Sequence, residues 1–279
     1  MSFVKLLQGQ WKAGKFVCVG LDSDVKQIPE FILGSPFQRI REFNYSIIDA
    51  TKDLACAYKP NIAFYERFGE TGWGVLRMTI DYIREVAPGV PVILDAKRAD
   101  IGNTNLGYVE ASFEDLGADA ITVNPYFGAE ALQPFLDRKD KGIIVLCRTS
   151  NLGAKEFQDL LVNGEPLYCV VARQVANEWN KNGNCAVVVG ATWPEELQRV
   201  RQIIGDMPIL IPGIGFQQKG VPIEKQVEQT VAAGKDSHGQ GMIINSARGI
   251  IFASRHADYP DAARAETLKL HNLINQFRT

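Results

Sequence analysis

Two aspartates and a lysine are crowded into one short run, Ile93-Leu94-Asp95-Ala96-Lys97-Arg98-Ala99-Asp100-Ile101-Gly102-Asn103-Thr104. The run begins apolar, as a strand would, and turns polar where a helix would begin. On a regular strand Asp95 and Lys97, two residues apart, point to the same face. Asp100 falls beyond the strand and serves a different geometry. A lysine beside aspartates keeps its proton, because nearby negative charge favours the ammonium form. Such a group donates a proton rather than attacking as a free amine. Taken alone, Asp-Ala-Lys reads first as a solvated ion cluster at a strand end. The other polar residues of the chain decide between these readings.

A second lysine, Lys59, sits in Ala57-Tyr58-Lys59-Pro60-Asn61, inside an otherwise apolar strand. A buried ammonium needs an anionic partner to offset its desolvation, and Asp95 on a neighbouring strand can supply one. Pro212-Gly213-Ile214-Gly215-Phe216-Gln217 and Asn245-Ser246-Ala247-Arg248-Gly249-Ile250 have a different character. Glycines let main-chain N–H groups approach an anion, and an arginine grips phosphate bidentately. The plainer alternative is that Gly213 and Gly215 only make a tight turn.

The elements that must position these groups recur regularly. Apolar, β-rich runs occupy 16–21, 57–63, 91–97, 120–124, 142–148, 185–190, 208–212 and 241–245. Most are continuously apolar rather than alternating, as expected of parallel strands covered on both faces. Helical patterns separate them. The first starts at the Ser35-Pro36 cap, and others follow over 71–86, 104–116, 130–136, 168–179, 194–204 and 223–233. Eight such alternations predict an α/β fold, a single (β/α)8 TIM barrel over residues 1–279, with a short N-terminal helix and a C-terminal helix. In that architecture active sites form at the C-terminal ends of the strands. Asp22, Lys59, Asp95, Lys97, Thr149, Ser150, Gly213, Gly215 and Arg248 all fall there.

The composition narrows the function. Across 279 residues the formal charge is −2, and no basic block offers a nucleic-acid surface. The apolar runs are too short to span a bilayer. The start of the chain reads as an amphipathic helix rather than a signal peptide. Five cysteines, an odd number without a CxxC pair, suit buried free thiols in a reducing cytoplasm. The three histidines fall late in the chain, away from the aspartates, so no metal site is expected.

With these residues in place, the chain resembles the orotidine 5′-phosphate decarboxylase family over residues 17–250. Asp-x-Lys-x-x-Asp is shared with a wider group of phosphosugar barrels. The full run 94–104, with Ala57-Tyr58-Lys59-Pro60-Asn61 before it, is more specific. Length and Cys147-Arg148-Thr149-Ser150-Asn151 are similar to the longer bacterial branch. The resemblance implies a Lys59, Asp95, Lys97, Asp100 charge network acting on orotidine 5′-phosphate to give UMP. It implies a homodimer in which Asp100 and Thr104 cross into the partner's site. Asp22 and Thr104 match residues that hold the ribose, and Ser150 the residue that reads the pyrimidine edge. Ile101 matches an apolar lining residue near the base. Gly213, Gly215, Gln217 and Arg248 match the phosphate grip. The chain departs from the family at Phe216-Gln217-Gln218-Lys219, which leaves Gln218 as a substitute for Gln217, and at Leu152, where proline is common. The metal-dependent relatives that share Asp-x-Lys-x-x-Asp carry a carboxylate ligand on the second strand, where this chain has Lys59. A barrel that binds a nucleotide without turning it over is the non-enzymatic alternative.

Overall fold

The computed structural model describes residues 1–215 and 220–278. Its eight long strands are β1 (Val17–Leu21), β2 (Ala55–Pro60), β3 (Ile93–Arg98), β4 (Ala120–Val123), β5 (Gly142–Arg148), β6 (Cys185–Val189), β7 (Ile209–Pro212) and β8 (Met242–Ser246). Every pairing between them is parallel, in the order β2-β1-β8-β7-β6-β5-β4-β3. Parallel bridges Tyr58–Val92 and Asn61–Asp95 join the two ends of this sheet, so the strands close into the expected barrel.

Burial explains why the strands are continuously apolar. Every residue of β1, β2, β4, β6 and β8 is buried, because helices cover the outside while side chains fill the inside. One face of each covering helix supplies the packing. Ser35 caps Pro36–Thr51 through a reciprocal box with Gln38, whose Oε1 accepts from Ser35 N at 2.9 Å. That helix buries Ile40, Phe43, Ile47 and Ile48, and Phe43 stacks on Tyr259 of the C-terminal helix Tyr259–Arg278.

The two ends of the barrel are built differently. At the N-terminal end the helix Phe3–Lys12 buries Phe3, Leu7 and Trp11. Trp11 Nε1 donates to the carbonyl of Met242, the first residue of β8, at 2.9 Å. That end is sealed by apolar side chains, which leaves the C-terminal end as the mouth.

The observed elements differ from the sequence expectation in three instructive places. The second strand spans Ala55–Pro60 rather than 57–63. Pro60 has no N–H to continue the ladder, and Asn61 Oδ1 accepts from Ala63 N at 3.2 Å, turning the chain into the short helix Ala63–Glu66. The last strand begins at Met242 because Gly241 has φ +75°. The expected helix 104–116 is α-helical over Asn103–Val109 and widens to π-helical turns over Glu110–Asp115.

Candidate active site

A cavity of about 390 Å³ opens at the C-terminal ends of the strands. Of the strand-end and site residues singled out in the sequence, Asp22, Lys59, Asp95, Lys97, Thr149, Ser150, Gly213 and Arg248 line it. The charges form one chain of contacts. Lys59 Nζ lies 2.8 Å from Asp95 Oδ2, and Lys97 Nζ lies 2.5 Å from Asp95 Oδ1. Asp22 Oδ1 stands 4.0 Å from Lys59 on the other side.

Burial and charge pull against each other at Asp95, Lys59 and Asp22. At Asp95 burial works to raise the carboxyl pKa, but Lys59 and Lys97 outweigh it and hold the group well below the usual carboxylate range. At Lys59, only 3% exposed, burial opposes the charge, yet Asp95 and then Asp22 overcome it and raise its pKa. Asp22 is the exception. Its burial wins over the attraction of Lys59, so its pKa is raised from the ordinary 3.8. Its Oδ1 is buried with no hydrogen-bond partner among the described residues. A ligand hydroxyl would satisfy that oxygen.

Asp95 and Lys97 do not meet by regular alternation. Leu94 pairs with Ile121 and Arg98 with Val123, so three residues of β3 bulge opposite Thr122 alone. Lys97 sits in that bulge with φ +49°, a left-handed conformation that side-chain-bearing residues rarely adopt. The same-face expectation therefore gives the right outcome through a different geometry.

The opposite side of the mouth is shaped mainly by backbone. Gly213 and Gly215 have φ +107° and +84°, values that favour glycine. Gly213 lines the main cavity, whereas Gly215 lines a smaller neighbouring one of about 140 Å³. Its N–H donates to Gln226 Oε1 at 3.1 Å, and Gln226 Nε2 donates to the Val221 carbonyl at 2.7 Å. The buried Gln226 thus ties Gly215 to Val221, and the Gly215 amide is engaged there. Gln217 and Gln218 lie outside the described residues.

Between these sides, Leu146, Val188, Leu210 and Pro212 form an apolar floor, with Ser150 and Asn151 at the exit of β5. A Cβ on Gly190 would lie 2.8 Å from Ser150 Cβ, so glycine there is what lets Ser150 approach. Arg148 is fully buried between Tyr168 and Trp193 and pairs with Asp159 at 3.3 Å, fixing that exit.

Asp100, Ile101 and Thr104 are not brought to this cavity. Asp100 Oδ1 accepts from Ile101 N at 2.7 Å, and Ile101 is 60% exposed. Thr122, Gly190 and Gln226 were not singled out in the sequence. Thr122 is inconspicuous in a strand, Gly190 is required by Ser150, distant along the chain, and Gln226 reads as an ordinary polar residue of a helix.

The chain is similar to known proteins over its whole length. The family model "Orotidine 5'-phosphate decarboxylase / HUMPS family" matches residues 15–260. An orotidine 5′-phosphate decarboxylase of Janthinobacterium sp. (strain Marseille) is 46% identical over 278 residues, 99% of each chain. One from Ralstonia pickettii (strain 12J) is 47% identical over 279 residues, the full length of both. The solved structure of Leishmania donovani OMP decarboxylase superimposes with a TM-score of 0.83 at 38% identity, covering 98% of this chain and 99% of that one. The chain belongs to the orotidine 5′-phosphate decarboxylase / HUMPS family and is an enzyme of its decarboxylase branch.

Proposed function

We propose that the chain converts orotidine 5′-phosphate to UMP and CO₂ by metal-free electrostatic catalysis, with Lys97 as the proton donor. One observation carries the reading: two ammonium groups, Lys59 and Lys97, each hold one oxygen of Asp95 on the wall of the cavity. Two cations on one carboxylate disfavour a divalent metal at that carboxylate, which separates this site from a metal-dependent phosphosugar enzyme.

Breaking the C6–CO₂ bond leaves an electron pair on C6 with no conventional sink. Groups that stabilise that charge must act mainly in the transition state. The Lys97 ammonium faces the developing carbanion and then gives C6 its proton. The neutral amine recovers a proton from water. Asp95, with Lys59 behind it, orients Lys97 and lies against the departing carboxylate. Asp22, with an unsatisfied buried oxygen, takes a ribose hydroxyl. Ser150 reads the pyrimidine edge. Gly213, Arg248 and Gln217 or Gln218 hold the phosphate, with Gly215 shaping the turn beside them, and the binding energy gained far from the reacting carbon orients it.

The proposed working form is a cytoplasmic homodimer, each subunit one barrel domain over residues 1–279. Asp100 and Thr104 of each chain complete the partner's site, with Ile101 lining the base. Ile101, Leu106, Tyr126 and Phe127 are exposed apolar residues around that segment, a composition that suits burial against a second copy. All five cysteines are buried free thiols, in keeping with a reducing compartment.

The activity is tested by following loss of the orotate chromophore of orotidine 5′-phosphate, with EDTA and separately with Mg²⁺. Equal turnover in both supports the proposal; turnover only with Mg²⁺ refutes the metal-free mechanism, and none in either refutes the activity. Mixing inactive Lys97→Ala and Asp100→Ala chains tests the shared site. Statistical exchange of subunits should restore about a quarter of wild-type activity, and no recovery after verified exchange would contradict sharing.

A further inference from the structure

We infer that Thr122 is a positioning residue whose hydroxyl holds the β3 bulge and thereby aims Lys97 and Asp95. The inference rests on the decarboxylase reading above. In the bulge, three residues of β3 face one residue of β4, so the β3 main chain loses regular ladder acceptors. The Thr122 Oγ1 replaces them. It accepts from Ala96 N and from Lys97 N, each at 3.0 Å, and donates to Asp95 Oδ1, also at 3.0 Å. A hydroxyl has two acceptor positions and one proton. With both acceptor positions occupied by main-chain N–H groups, its proton is directed at the carboxylate.

Thr122 is 1% exposed and lies against the cavity. Its neighbours are the parts of the site that need fixing most. Lys97 occupies a left-handed backbone conformation that the surrounding structure must impose. Its side chain is about half exposed and is anchored by Asp95 Oδ1, the oxygen that Thr122 also binds. The hydroxyl therefore acts on Lys97 twice, through its backbone amide and through the carboxylate that holds its ammonium. Valine has nearly the shape of threonine but none of these bonds.

The test compares Thr122→Val and Thr122→Ala with Thr122→Ser, reading kcat, KM, UMP affinity and thermal midpoint of the full-length protein. The expected result is a fall of kcat by about 100-fold in the variants without the hydroxyl, the effect of misplacing a reacting group by about 1 Å. KM and UMP affinity should stay within about threefold, since the binding groups lie elsewhere in the cavity, and Thr122→Ser should recover kcat to within about threefold of wild type. The inference is overturned if Thr122→Val or Thr122→Ala keeps near-wild-type kcat. It is overturned equally if Thr122→Ser is as impaired as they are, if kcat and UMP affinity fall together, or if neither hydroxyl-free variant folds. A wild-type protein inert toward orotidine 5′-phosphate would instead refute the decarboxylase reading.

Discussion

The two sides of the cavity mouth are built on opposite plans. From β2 to β4 the wall is a set of side chains that bind one another: Lys59 and Lys97 on Asp95, with Thr122 beneath. From β7 to β8 it is mainly a main-chain surface, with glycines at positive φ and Gln226 tying Gly215 to Val221. The first plan fixes individual charges to within a hydrogen bond's tolerance, as stabilising a developing charge requires. In the proposed reading the second, with Arg248, grips a diffuse anion, for which placement is less demanding. Substitutions on the first side should therefore alter turnover, and those on the second should alter binding.

The largest effect expected from this division is at Lys97. Lys97→Ala should lower kcat by about 10⁵-fold, the combined scale of losing a general acid and an electrostatic stabiliser, with UMP affinity changed less than tenfold. A loss shared between kcat and UMP affinity would blur the division. On the other side, Arg248→Ala should raise KM by about 100-fold, matching about 3 kcal/mol for a lost charge-assisted phosphate contact. Steady-state kinetics with a nearly unchanged kcat at saturation would sharpen the contrast.

A smaller effect is expected between the two sides. Gly190→Ala should reduce kcat/KM by about tenfold, since the added methyl group overlaps Ser150 and overpacking costs about 1–3 kcal/mol. A crystal structure of the variant should show Ser150 displaced. The smallest effect is on stability, at Asp22. Its raised pKa means the folded protein binds this proton more tightly than the unfolded chain, so the buried charge costs stability above the folded pKa. That cost disappears as pH falls through the folded pKa towards the ordinary 3.8. Asp22→Asn should raise the ligand-free Tm by a few degrees at pH 7, and the gain should vanish near pH 4 while KM worsens. Thermal unfolding at a series of pH values checks the sign.

Much of this arrangement can be read from the sequence, for a physical reason. Lys59, Asp95, Lys97 and Arg248 are charged residues at the ends of apolar strands, where burial makes them conspicuous. The eightfold strand and helix alternation places those ends at one rim. Thr122 is hidden because threonine is an ordinary strand residue, and its role depends on the register of β3 against β4. The bulge is hidden for the same reason: Ile93 to Arg98 reads as an unbroken strand until its partner is known. Gly190 is required by Ser150, just past the end of the neighbouring strand β5, a contact no local pattern encodes. Asp100 and Thr104 stand out in the motif, yet the fold of one chain does not bring them to its own cavity.

The most direct test of the central claim is a single measurement on paired samples. Wild type and Lys97→Ala, both in EDTA, are mixed in excess with orotidine 5′-phosphate, and the first turnover is followed by absorbance. The account predicts rapid loss of the orotate chromophore in the wild type. In the variant it predicts a rate lower by about five orders of magnitude, with substrate bound but intact. Decarboxylation in the variant within tenfold of wild type would contradict the assignment of Lys97 as the proton donor.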